Sequence, residues 1–537
     1  MNKKILIAIF ACMIIICAGA FAVNDTQSGE NASVSDDANA VGENKTLVVD
    51  SEDKDLKGGY YYSFASDENT VLVKNNGALK LLDSLISKSG DTETSGDDAD
   101  FYGINSAVLV KSNGTLEISN VYIETDSKGS NGIFVTNGES SSNDAKGGDS
   151  TWDPKHPNDA EEPDSNGGAP PSMPEGNGSG GGAPPSMPEG NGSDGASSPS
   201  VSEDSDSDDG SFLSILFGGS SEEDSSNEAS YGSSQADIDD VEITTHGDKS
   251  RGLDATYNGI INAKSVKINT DGQSSAALAT DRGEGEVHVS DSILNTGVSK
   301  ESGRGSPIIY STGNITVDSS TGCAYVSQIA CIEGKNSIEL TSCDLSGAGG
   351  GNREDNGEYV DLGGIFIYQS MSGDADVGTS TFTAKSSALS IESDSEYYET
   401  APMFHVTNTK AIINLESTEL NFGSGVLLNV SGQSQWGTEG SNGGDLVFNA
   451  NSEILDGNIS VDSISSLDLT LSSTSFIGAI NPTDDFGDTN VTIDSGSDWT
   501  LDGDSHISSL DNEGQIEYNG HTLYVDGEAY TESNPFN

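Results

Sequence analysis

Ser250-Arg251-Gly252-Leu253-Asp254, Ser275-Ala276-Ala277-Leu278-Ala279 and Ser306-Pro307-Ile308-Ile309-Tyr310 are three copies of one pattern: a serine, two small or variable residues, then a large aliphatic. Working outward, Ser106-Ala107-Val108-Leu109-Val110 and Ser130-Asn131-Gly132-Ile133-Phe134 fit the same frame. Continued along the chain, it gives a column of large apolar residues: Leu109, Ile133, Leu253, Leu278, Ile309, Ile332, Ile367, Phe404 and Leu427. The shortest steps, 24 residues from Leu109 to Ile133 and 23 from Ile309 to Ile332, suit one turn of a three-stranded coil. Longer steps read as loops leaving a rung.

A second strand follows a Gly/Asn turn in each rung. Leu116-Glu117-Ile118, Val266-Lys267-Ile268, Val287-His288-Val289, Ile315-Thr316-Val317 and Ile338-Glu339-Leu340 are each apolar–polar–apolar, so one side faces a core and the other faces water. A single rung cannot bury its apolar face; stacking supplies the neighbour above and below. Helical periodicity is absent beyond the first 22 residues. The fold class this predicts is all-β, a right-handed parallel β-helix (solenoid), running over 69–530 with a short tail at 531–537 and strands from Thr70-Val71-Leu72-Val73 onward.

One stretch breaks the period. Between Ile133 and Leu253 lie 120 residues where one rung is due, and the excess falls at 139–237. It holds 10 of the 14 prolines and 21 acidic residues against Lys146 and Lys155, and the block Gly168 to Ser179 recurs from Gly182 to Ser193. Proline cannot donate in a ladder and the charge resists collapse, so a disordered acidic loop is expected there. Its apolar run Phe212–Phe217 reads either as a docking segment for a partner or membrane or as a patch on the helix side.

The N-terminus reads as an export signal over 1–22. Lys3 and Lys4 precede an apolar run, Ile5 to Cys17, and Ala20-Phe21-Ala22 is a cleavage site. The alternative is an uncleaved anchor, since Ile5 to Val23 spans 19 residues. Residues 23–68 read as a polar, acidic leader. Export makes the Asn-x-Ser/Thr sites, among them Asn113, Asn314 and Asn429, available for glycosylation. Cys323, Cys331 and Cys343 remain after the signal, with spacings that fit no zinc site; at most one disulfide forms, and small core positions suit them.

The chain has 23 Lys+Arg against 87 Asp+Glu, a net charge of −64. That excludes nucleic acid as a partner, because too few cations exist to displace condensed counterions. The acidity serves solubility, with at most weak Ca²⁺ binding. Asp204-x-Asp206-x-Asp208 opens like a calcium loop but has Asp209 where glycine is needed and Ile215 where glutamate is needed. No resident cofactor or metal is expected.

Several blocks resemble the adhesin-like β-helix surface proteins of methanogenic archaea and gut bacteria, whose architecture is that of the pectin lyases. They include Ala277-Leu278-Ala279-Thr280-Asp281-Arg282-Gly283, Gly305-Ser306-Pro307, Ile332-Glu333-Gly334-Lys335-Asn336-Ser337, Ile367 to Asp374, and Trp436-Gly437 with Ser441-Asn442-Gly443-Gly444. The resemblance implies a cell-surface, adhesin-like role with surface glycans or other surface proteins as partners, and brings no catalytic motif with it.

The pectin-lyase architecture also hosts enzymes that cut polysaccharides. Asn269-Thr270-Asp271 matches one polygalacturonase motif, but its companions are missing and it sits where a strand should end. Arg251, Arg282 and Arg304 fall on rungs, yet basic residues are too sparse for the sequence to place them together. The chain is therefore read as a non-enzyme, with a secreted carbohydrate-binding module or a polysaccharide lyase or hydrolase as alternatives. The residues just past the core column, Asp254, Ala279, Tyr310, Glu333, Tyr368 and His405, would form a ribbon of acids and aromatics suited to sugar faces and hydroxyls.

Overall fold

In the computed structural model, residues 45–94, 96–139, 233–300, 305–350, 363–370, 373–433 and 436–536 are described, and all lie in one compact unit. It is a parallel β-helix. Twelve parallel strands make the front sheet, in the order Leu47–Asp50, Val71–Lys74, Val108–Lys111, Ile133–Thr136, Leu253–Thr256, Leu278–Thr280, Ile309–Ser311, Ala330–Glu333, Ile365–Tyr368, Phe404–Thr407, Val426–Val430 and Asn458–Val461. The second and third faces begin as single bent strands such as Thr115–Asp126 and Gln235–Thr245, then divide into pairs such as Ile260–Lys264 and Lys267–Thr270.

The bend between the second and third faces has a visible cause. Asp83, Asn120, Asp240, Ser265, Asp291, Ser319, Ser342, Ser386, Ser417, Ser452 and Ser473 all have φ between 48° and 59°. The left-handed region turns the chain sharply, and short polar residues tolerate it best. Directly after this corner, a hydroxyl often joins the rungs. Ser292 N–H donates to Ser320 Oγ (3.0 Å) and Val266 N–H to Ser292 Oγ (3.1 Å).

A matching ladder precedes the front sheet. Ser130 N–H donates to Ser250 Oγ, Ser250 N–H to Ser275 Oγ and Ser275 N–H to Ser306 Oγ, at 2.9–3.0 Å. The serine that opens each sequence fragment is thus the hinge of its rung. The last coil is closed by the one antiparallel pairing among the described strands, Leu523–Val525 with Glu528–Tyr530. This turns the chain back on the last parallel strand and covers one of that strand's edges.

Four sequence expectations need correction. All nine residues of the proposed column are buried, but they do not form one column. Ile133 pairs with Val108, not Leu109, because Asn105 and not Ser106 stands at the hinge and gives a hydrogen bond to Ser130 Oγ. Leu109 therefore points outward and stacks on Phe134. Ile309 pairs with Ala330 and Ser311 with Ile332, a slip of two, so Ile332 and Ile367 lie in a parallel core column. Ile367 pairs with Val406, Phe404 pairs with Ile365 and Leu428, and Leu427 falls in a bulge.

Second, the stack does not wait for residue 69. Leu47–Asp50 and Asp53–Ser63 form a full coil, with Leu47 and Val49 buried against Val71 and Val73. A terminal rung has one face in water, which is why its composition passes for a leader. Third, Gln235–Thr245 is a strand, so the insertion ends before residue 237. The interior of the insertion, Phe212–Phe217, the calcium-like loop and the signal at 1–22 lie outside the described residues. Fourth, the tail packs on the end of the stack: Phe536 lies 5.0 Å from Tyr530, ring to ring, and its N–H donates to Tyr518 Oη.

Cys331 and Cys343 are buried and Cys323 is half-buried. Cys343 takes the position directly after the left-handed corner, its thiol 3.4 Å from Thr341 O, as Ser320 and Ser387 hydroxyls lie 2.8 Å from the carbonyls two residues back. Among the described residues no helix is long and apolar enough to cross a membrane.

Candidate functional site

Alternation leaves half of every β-helix strand pointing outward, and on the second face those positions are polar and wet, as in Lys410–Glu416. Along the middle of the front sheet most of them are buried, whereas on its first strand, Leu47–Asp50, they are exposed. Ile133–Thr136, Leu253–Thr256, Ile365–Tyr368 and Phe404–Thr407 are buried at all four positions. Segments from distant parts of the chain therefore cover this face.

The first cover is the helix Gly96–Tyr102, which lies over Leu109, Phe134 and Asp254. Gly103 (φ +67°) ends it, and a Cβ there would come 2.5 Å from the Phe134 ring, so only glycine allows so close a seat. Thr256 Oγ1 donates to Phe101 O (2.8 Å), and the Tyr102 and Tyr257 rings stack with centroids 5.5 Å apart. The second cover is the segment after Tyr368. Ser370 Oγ donates to Glu333, and Asn408 Nδ2 to Gln369 O (2.8 Å). Trp436 lies on Tyr368 (4.8 Å) and Phe366 (5.8 Å).

Beneath the helix sits a buried charge cluster. Arg251 follows the hinge Ser250, and its backbone N–H is held by Asn131 Oδ1 (2.8 Å). Its guanidinium meets Asp281 (2.8 Å), Asp100 (3.2 Å) and Asp254 (3.5 Å). Lys249 Nζ adds a second cation on Asp100, at 2.7 Å. Burial works to raise the Asp100 pKa, but Arg251 and Lys249 outweigh it and hold that carboxyl below the usual range. Asp254 and Asp281 are driven the other way, above the usual range, by burial first, then by Asp100 at Asp254 and by Asp254 at Asp281, with Arg251 only partly offsetting. Neither oxygen of Asp254 has a well-formed hydrogen bond; the Ala255 N–H pulls on it in part. Three carboxyls around one guanidinium in a dry site favour retaining a proton.

Between the two covers a cleft of about 320 Å³ stays open, with Asp281, Arg282, Tyr310, Asp374, Lys249 and Phe101 on its walls. Arg282 bonds Asp374 (2.7 Å) and lies 4.0 Å over the Phe101 ring. Tyr310 donates its hydroxyl to Glu333 Oε2 (2.8 Å). Burial pushes the Tyr310 phenol up, helped by Glu333; burial also raises Glu333, against the hydrogen bonds from Ser370 and Tyr310.

The expected ribbon of Asp254, Tyr310, Glu333, Tyr368 and His405 is thus rearranged. All five face outward on the front sheet, but Asp254, Tyr310 and His405 share one column, while Glu333 and Tyr368 stand in the next, two residues along. They do not form an open strip. Asp254 is wholly covered, and Tyr368 and His405 are buried under Trp436 and beside Gln433, with His405 Nε2 3.2 Å from Gln433 Nε2. Tyr310 alone of the five lines the cleft.

Asp100, Lys249, Arg251, Asp281, Arg282 and Asp374 are the side chains that sequence reasoning missed as a group. Arg251 and Arg282 had been placed on rungs, and they are the two arginines among the described residues. That both reach one cleft was the available signal; Asp100 and Asp374 carried none. Asn269-Thr270-Asp271 does end a strand, at Thr270.

No protein-family model matches the chain, and no curated protein is significantly similar to it.

Proposed function

We propose that this chain is an exported, adhesin-like cell-surface protein whose β-helix is a scaffold for a glycan-contacting cleft on its front sheet. The observation that carries this reading is the contrast between faces. One of the three is roofed by a helix and by a loop, and the gap between them gathers arginines, carboxylates and a tyrosine. Aromatic faces beside charged hydrogen-bonding groups suit sugar rings and their hydroxyls. The export signal and acidic surface read from the sequence supply the setting, because a soluble, negatively charged stack suits display outside the cell.

The test has two arms. Labelling intact cells with a membrane-impermeant reagent should reach this protein; protection from the label would sink the surface assignment. A glycan array should give a ligand whose binding falls at least about tenfold in Tyr310→Ala. Release of reducing or unsaturated ends from a polysaccharide by the purified protein would replace the adhesive role with a catalytic one.

A further inference from the structure

The charges in and beneath the cleft balance within the protein: the carboxyls of Asp100, Asp254, Asp281 and Asp374 meet the cations of Arg251, Lys249 and Arg282, and a proton retained among the three dry carboxyls around Arg251 squares the count. Arg251 is shared by Asp100, Asp254 and Asp281, Lys249 lies on Asp100, and Arg282 lies on Asp374. We propose that the cleft is a subsite for an electrically neutral sugar residue, recognised through hydroxyl hydrogen bonds to side chains that already neutralise one another. This rests on the glycan reading above and adds the class of sugar.

Two effects decide against a charged ligand. A uronate or an ammonium group entering the cleft would lose its water with no unmatched counter-charge to replace it. A chain of net charge −64 also repels acidic glycans before contact. Hydrogen-bonding capacity, by contrast, survives ion pairing. A guanidinium has five donors and a carboxylate about four acceptor positions, so a pair can still receive hydroxyls, and bonds to ionised partners are the stronger kind. Arg282 and Asp374 keep 35% and 24% of their side-chain surface exposed, enough to be reached from the rim. The volume, about 320 Å³, is at the small end of the ~300–1,000 Å³ typical of small-molecule sites, which fits one or two rings of a chain end.

The experiment is calorimetric titration of the full-length protein with three probes: a neutral oligosaccharide chosen from the array, an oligogalacturonate and a chitosan oligomer. The neutral probe should bind best, with affinity changing less than about threefold between ~50 and ~500 mM salt, since no net charge is exchanged. Asp374→Asn removes a negative charge from beside Arg282 and should raise oligogalacturonate affinity about tenfold; Arg282→Gln removes a positive charge from beside Asp374 and should do the same for chitosan. Best binding of oligogalacturonate or chitosan by the unaltered protein overturns the proposal without any variant, and so does neutral-sugar binding unchanged in both variants. Glycan binding that survives in those cases leaves the broader function standing. Failure of every glycan to bind removes both.

Discussion

The front and second sheets are built on the same rungs, yet they treat an outward side chain in opposite ways. Phe134, on the front sheet, is fully buried under the helix Gly96–Tyr102. His288, at an outward position of the second sheet, is half-exposed and hydrogen-bonded to Thr316 Oγ1 (2.8 Å) of the next rung. Backbone pairing is equivalent in both; what differs is whether another segment lies on top. Here a β-helix makes a cleft by covering one face incompletely, and the stability of the cover sets the shape of that cleft.

The largest effect should come from removing the cation under the cover. Arg251→Ala removes the guanidinium shared by Asp100, Asp254 and Asp281, leaving Lys249 paired with Asp100, and should cost about 3–5 kcal/mol in denaturant unfolding. Adding Asp254→Asn and Asp281→Asn should recover a large share of the loss. If the single variant unfolds like the parent, the cluster does not hold the cover down.

The contrast can also be broken at single outward positions. Phe134→Ala should cost about 3 kcal/mol, the value for a core phenylalanine, although its side chain points away from the helix interior. His288→Ala, outward on the bare sheet, should stay within about 0.5 kcal/mol. Equal costs would mean that the cover adds no real core.

How much of this was readable beforehand follows the same division. The repeat was legible because hinge serines and alternating aliphatics are local signals, repeated rung after rung. Register errors arose where the local signal was ambiguous. A slip of two, as at Ile332, keeps the side chain on the inner face, and the true partner of Ile309 is the small Ala330, which a search for large residues passes over. A slip of one, as at Leu109, turns the residue outward, and the cover then hid the error by burying it anyway. The site was legible only in its floor. Asp254 and Tyr310 were named from the strands, but Asp100 is 151 residues from the Arg251 it bonds, and Asp374 is 92 from Arg282. No pattern within a rung encodes such contacts.

The corner after the left-handed turn carries a smaller, pH-dependent effect. Where neighbouring rungs place hydroxyls, Glu453 is buried, both its oxygens within 3.1 Å of Thr418 N, and burial raises its pKa to about 7, opposed by the Thr418 N–H. The folded chain thus binds this proton more tightly than the unfolded chain does. The stabilisation is complete below the ordinary carboxyl range, near 4.5, and is lost as pH rises to about 7. Glu453→Gln should remove that decline and stabilise the protein at pH 8 by about 2 kcal/mol. Parallel stability–pH curves for variant and parent would show that Glu453 ionises freely in the fold.

The smallest effect tests whether the corner reads chemistry or only size. Cys343 sits where Ser320 and Ser387 sit one rung to either side, takes an N–H bond from Ser320 and holds Ser387 Oγ with its own N–H at 3.1 Å. A hydroxyl at that position would reach Thr341 O at an ordinary distance and accept the Ser320 N–H more strongly than sulfur does. It would lose the larger apolar atom in exchange. These terms are each below about 1 kcal/mol and opposite in sign, so Cys343→Ser should shift unfolding by no more than about 0.5 kcal/mol. A loss of about 2 kcal/mol or more would mean that the sulfur is packed as core and that the corner tolerates it in spite of its hydrogen bonds. Even the bare side of the coil would then depend on tight filling at its corners.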